Sequence, residues 1–148
     1  MLWLLRHADA ADGVPDDARP LTDKGIRQAQ AAGQALAQIG VRLDACLSSP
    51  KRRAMQTAEL ACEPLGVAVT TETELSGGPF DAEELAARLP DVMLVGHDPS
   101  ISLALHDLTG VHCRMSKGGL AGINKGELLV LLRPKELSLI AGVREPVA

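Results

Sequence analysis

Two histidines and several arginines sit where short apolar runs end. Leu2–Leu5 runs into Arg6-His7, and Val92–Val95 runs into Gly96-His97. Between them, Leu43–Leu47 passes through Ser48-Ser49-Pro50 into Arg52-Arg53. A guanidinium presents a planar fork of donors that matches phosphate and carboxylate oxygens. An imidazole near neutrality is either an uncharged nucleophile or a charged donor. One histidine can attack phosphorus while the other donates to an oxygen as negative charge builds. No Ser-His-Asp order stands out, so the set suits phosphoryl transfer better than acyl transfer.

These residues meet only if the chain folds in one particular way. The apolar runs at 2–5, 43–47 and 92–95 read as buried strands, and Val67–Thr71 is β-branched like a strand. Between them lie helical patterns. Thr22 caps one that runs to about Ile39, with apolar positions at Ile26, Ala29, Gly33, Leu36 and Ala37, and Gly40 stops it. A second starts with Pro50 in its first turn and ends near Gly66. Short helices are expected over Asp81–Leu89 and Ser100–Leu108. Residues 8–20 and 76–79 have loop composition, and 116–122 is Gly-rich, with Lys117-Gly118-Gly119 a plain turn. Leu128–Leu132 and Leu137–Ile140 read as two closing strands, neighbours in antiparallel. This alternation predicts one α/β domain over residues 1–148. It is a three-layer sandwich with a mostly parallel central sheet and helices on both faces. Parallel strands bring their carboxyl ends to one edge, where ligands of open α/β sheets bind.

Composition narrows the partners. The chain carries a net charge of −4, one Phe, one Trp and no Tyr. Nucleic-acid binders favour a basic face and aromatic stacking platforms, so that class is disfavoured. The core must be aliphatic, since hydrophobic residues are 46% of the chain. Cys46, Cys62 and Cys113 are odd in number and widely spaced, as in reduced cytoplasmic proteins. No Cys-x-x-Cys pair and no ligand spacing around His106 or His112 points to a metal. No apolar run is long enough for a membrane span.

The same residues resemble the histidine phosphatase superfamily, which includes the phosphoglycerate mutases. Arg6-His7-Ala8 looks like its first signature, and Arg19-Pro20-Leu21-Thr22-Asp23-Lys24-Gly25 is similar to the segment that follows. Ser48-Ser49-Pro50 with Arg53, Gln56, Thr57 and Ala58 looks like the second signature, and Gly96-His97 like the third. The short length resembles the SixA-like phosphohistidine phosphatase branch. The resemblance implies a phosphoglycerate mutase-like fold and a covalent phosphohistidine on His7, hydrolysed by water without metal or cofactor. It implies that Arg6, Arg53 and His97 bind the phosphoryl oxygens. Glu74 lies near the place of the general acid in larger members, and Asp9 is the other candidate. The implied substrate is a phosphorylated protein such as a histidine phosphotransfer domain. A phosphatase of small phosphate esters and a non-catalytic phosphoprotein-binding module are the alternatives. Ala8 stands where the superfamily usually has Gly, so its backbone must keep a conformation open to L-residues. Arg19 is left between a salt-bridge partner and a rim residue.

Overall fold

Leu2–Arg6 forms the first strand, β1, and Leu2, Trp3, Leu4 and Leu5 are all buried. Burial on both faces is why the run is continuously apolar rather than alternating. The computed structural model describes residues 1–143; the last five residues of the expected domain, 144–148, lie outside the described part. The further strands are β2 (Ala45–Ser48), β3 (Val69–Thr71), β4 (Val92–Gly96), β5 (Leu120–Asn124) and β6 (Glu127–Leu132). They form one mixed sheet in the order β3-β2-β4-β1-β5-β6. β1 and β2 flank β4 in parallel, and β3 lies parallel to β2. β5 runs antiparallel to β1, and β6 antiparallel to β5.

Helices cover both faces. They are α1 (Asp23–Gln38), α2 (Arg52–Cys62), α3 (Ala82–Ala86), α4 (Ser100–Thr109) and α5 (Pro134–Ile140). Alternate strand residues choose the face they line. Trp3, Leu5, Cys46, Met93 and Val95 pack in one cluster that includes Leu36 of α1, Ala58 of α2 and Leu137 of α5. Leu4, Leu47 and Leu94 pack in the other with Leu85 of α3 and Leu105 of α4. The contact of α1 with the end of α2 brings backbones close: a Cβ on Gly33 would lie 2.6 Å from the Ala61 carbonyl oxygen. α1 starts where predicted, with the Thr22 hydroxyl accepting from Gly25 N–H at 3.0 Å. Among the described residues no helix is long and apolar enough to cross a membrane.

Three local expectations need correction. Leu137–Ile140 is not a strand but the body of α5. Pro134 occupies its first turn, and Glu136 accepts the Arg133 backbone N–H at 3.1 Å. Leu137-Ser138-Leu139-Ile140 is too short to tell a strand period from a helical one, and these start signals decide it. The antiparallel partner of β6 is instead β5, which follows the turn at 117–119 and starts inside the Gly-rich stretch 116–122. Gly122 sits inside that strand because the Trp3 ring lies against it; a Cβ there would come within 2.7 Å of Trp3 Cζ3. Pro50 precedes α2 rather than entering its first turn, since Lys51 is the cap residue.

Candidate active site

The register of the parallel strands brings their ends level. Arg6 pairs with Gly96, and Ser48 pairs with Val95. The chain leaving each strand is then tied to its neighbour. His7 N–H donates to the Gly96 carbonyl at 3.0 Å, and Ser49 N–H to the Val95 carbonyl at 3.0 Å. Gly118 N–H donates to the carbonyls of both Arg6 (3.1 Å) and His7 (3.0 Å), which closes the fourth side with the turn expected at 117–119. These bonds set the His7 and His97 rings 5.2 Å apart, centroid to centroid. Arg53 reaches the same point from the first turn of α2. It is buried, whereas Arg52 beside it is exposed.

The two imidazoles are held differently. His7 Nδ1 lies 2.8 Å from the Ala8 carbonyl oxygen. A carbonyl only accepts, so Nδ1 carries the proton and Nε2 keeps its lone pair. Burial lowers the His7 pKa to about 4; the Ala8 bond opposes the shift, and the charges of Arg53, Arg6 and Lys117 deepen it. His7 is therefore a neutral base at pH 7. His97 is lowered to about 3, first by burial and then by His7, Arg53 and Lys51. Its Nε2 lies 2.7 Å from Ser49 Oγ, which also accepts the Lys51 backbone N–H at 3.2 Å.

The cations are anchored from behind. Arg53 donates through Nη1 to the Asp16 carbonyl (3.0 Å) and through Nη2 to the Asp16 carboxylate (3.2 Å). Arg6 donates to the Met115 carbonyl at 2.8 Å and faces Asp98 at 3.9 Å. Among the described residues, the buried side-chain nitrogens and oxygens without a hydrogen-bond partner are Arg6 Nε, Arg53 Nε and His97 Nδ1. A buried unsatisfied polar group costs roughly 1–3 kcal/mol, so three at one sheet edge need a reason. An oxyanion is the acceptor that this chemistry suits.

The family model of the histidine phosphatase superfamily, branch 1, matches residues 2–80. The chain belongs to that superfamily. An uncharacterised protein of Picosynechococcus sp. is 35% identical over 165 residues, covering 92% of this chain and 98% of the relative. The mitochondrial serine/threonine-protein phosphatase Pgam5 of Drosophila grimshawi is 33% identical over 95 residues, 64% of this chain but 31% of the relative. Among solved structures, the SixA protein of Agrobacterium tumefaciens, assigned as a phosphohistidine phosphatase, superposes with a TM-score of 0.79 at 26% identity. That match covers 90% of this chain and 97% of the other. The sheet and its helical layers thus have the phosphoglycerate mutase-like fold of this superfamily.

The remaining candidates of this histidine phosphatase chain lie further out. Glu74 is exposed in a single 3₁₀ turn (Thr73–Ser76), and its charge acts on Arg88. No described contact ties it to His7, Arg53 or His97. Asp9 accepts from the Thr22 hydroxyl at 2.7 Å and faces Lys117 at 3.8 Å, so it holds the start of α1. Arg19 bonds the Asp16 carboxylate at 3.0 Å, on the salt-bridge side of its two readings. Ala8 is fully buried against Leu21 and Ala29, and its φ is not positive, so its Cβ adds packing without strain.

Sequence reasoning gave no role to several residues that hold this geometry. Thr57 accepts the Ala8 N–H at 3.0 Å and donates to the Arg53 carbonyl at 2.7 Å. Gln28 accepts Asp9 N–H at 2.9 Å, and Gln56 accepts Leu21 N–H at 2.8 Å. The signal available was position: Gln56 and Thr57 follow Arg53 at helical spacings that share its face.

Proposed function

We propose that this protein is a phosphatase that takes a phosphoryl group onto His7 Nε2 from a phosphohistidine in a protein. The observation that carries the reading is a neutral, buried imidazole with a free Nε2 beside buried, unpartnered nitrogens of Arg6, Arg53 and His97. The His7 lone pair forms a bond to phosphorus as the bond to the leaving group breaks. Arg6, Arg53 and His97 donate to the phosphoryl oxygens, where the transition state spreads its charge. A leaving imidazole takes up one proton. It is a better leaving group than an alkoxide, so the step leans little on an acid. Glu74 is the acid candidate for that proton. Water then attacks phosphorus, the P–Nε2 bond breaks, and inorganic phosphate and neutral His7 return. The sequence of steps uses no metal or cofactor.

Two of the loops at the site are short, while segments 7–22 and 110–119 are longer. Only His97–Pro99 separate β4 from α4, and Ser49–Lys51 separate β2 from α2. The low wall formed by these two turns suits a phosphorylated side chain presented by a protein surface, such as a histidine phosphotransfer domain met in the cytoplasm. The reading takes residues 1–148 as one catalytic domain.

The test is phosphate release from a phosphohistidine peptide, compared with sugar phosphates. Release that is faster on the peptide and abolished in His7→Ala is expected. Release that survives His7→Ala overturns the mechanism, and binding without release points to a phosphoprotein-binding module. Faster turnover of sugar phosphates overturns the substrate class.

A further inference from the structure

Beside the site lies a basic crevice that the phosphoryl chemistry does not use. A cavity of about 410 Å³ is lined by Lys24, Lys117, Arg133 and Lys135, with Asp9 as its acidic residue. Glu136 engages Arg133 at 2.8 and 2.9 Å, and Asp9 faces Lys117 at 3.8 Å. Among the described residues no carboxylate lies within ion-pair distance of Lys24 or Lys135. Two cations therefore stand without a close ion-pair partner in one hollow of a chain whose net charge is −4, with Lys135 acting on Glu136 only from a distance. Clustered charges of one sign in a cleft focus field toward an opposite charge.

The crevice is built by three elements rather than by one solvated helix face. Lys24 lies in the first turn of α1, Lys117 in the turn before β5, and Lys135 in the first turn of α5. Its floor is packed. A Cβ on Gly118, which has φ +74°, would meet Pro134 Cγ at 3.2 Å and Gln28 Cβ at 3.3 Å. It is also continuous with the site. Lys117 is joined to Gly118, whose N–H bonds the His7 carbonyl, and its charge acts on the His7 ring. On the side of Arg53 the charges are paired, with Asp16 facing Arg53 and Lys51, and Asp17 facing Lys51. A substrate lying across the site meets cations without an ion-pair partner at one end and paired charges at the other.

We propose that this crevice binds an acidic stretch of the phosphoprotein, setting carboxylates near the phosphohistidine against Lys24, Lys117, Arg133 and Lys135. The proposal rests on the reading of the substrate as a phosphoprotein. It makes these cations specificity determinants, which act on capture more than on the chemical step.

Two labelled phosphohistidine peptides of equal length, one flanked by Glu and one by Lys, test it. Their binding to His7→Ala protein is measured by fluorescence anisotropy at low and high salt, so that turnover is not needed. The Glu peptide is expected to bind about tenfold tighter at low salt, with the gap narrowing as salt screens it. Lys24→Glu with Lys135→Glu removes or reverses the preference, and Lys24→Gln with Lys135→Gln weakens it. Equal binding of the two peptides, or a preference that survives charge reversal, overturns the docking proposal. So does a single-stranded DNA oligonucleotide that binds tighter than the Glu peptide. Hydrolysis of p-nitrophenyl phosphate by the wild type and the Lys24→Glu, Lys135→Glu variant reports separately on the phosphatase reading. It is expected to be equal in both, and if it is absent while the peptide preference holds, only the catalytic reading fails.

Discussion

Lowering the pH from about 7 titrates His7 and His97 against their own burial. His7 has a folded pKa of about 4 against an ordinary 6.5. The unfolded chain takes the proton first. The stabilisation is thus complete above 6.5 and drains away as pH falls through the window down to about 4. A gap of about 2.5 pH units is worth roughly 3 kcal/mol at ~1.4 kcal/mol per unit. His97, lowered to about 3, acts in the same window. The two rings repel when charged and titrate as a pair, so their contributions do not simply add. Urea unfolding of wild type and His7→Asn at about pH 7 and about pH 4.5 measures the effect. Wild type is expected to lose ~2–3 kcal/mol more than the variant over that range. Identical losses in both proteins refute the claim that burial keeps His7 neutral.

Three substitutions probe the supports of the site. Ser49→Ala removes the 2.7 Å contact that orients His97. A neutral hydrogen bond of ~1 kcal/mol corresponds to roughly a fivefold fall in kcat/KM, accompanied by a changed His97 tautomer signal in nitrogen NMR. Asp16→Asn takes a negative charge off the Arg53 fork. Inorganic phosphate is then expected to inhibit more tightly, since the Arg53 guanidinium no longer shares its charge with a carboxylate. Gly25→Ala drives a Cβ into the Asp9 carbonyl oxygen. The loop from His7 to α1 must shift, and thermal melting is expected to fall by roughly 5–10 °C for a cost of ~2–3 kcal/mol.

Much of the fold was legible because burial leaves a pattern. Leu2–Leu5 and Val92–Val95 are apolar without interruption, as strands covered on both sides are, and their parallel pairing predicted that Arg6-His7 and Gly96-His97 would end at one edge. β5 was hidden because its glycine exists to admit the Trp3 ring, a contact between segments over a hundred residues apart. α5 was misread because Leu137-Ser138-Leu139-Ile140 is too short to separate a strand period from a helical one, although Pro134 and Glu136 marked its start. In the site, Asp16 was indistinguishable from Asp12 and Asp17 in an acidic loop; only the folded chain puts it under Arg53. The contact between Ser49 and His97 likewise exists only once β2 and β4 lie side by side.

The most direct measurement is to trap the phosphoryl group. The protein is mixed with a phosphohistidine peptide carrying labelled phosphorus, quenched in alkaline detergent, and digested for mass spectrometry. Label on the peptide containing residue 7, absent from His7→Ala and chased by time into free phosphate, is the expected result. Phosphate released at full rate with label on no histidine, or on His97 instead, contradicts the account.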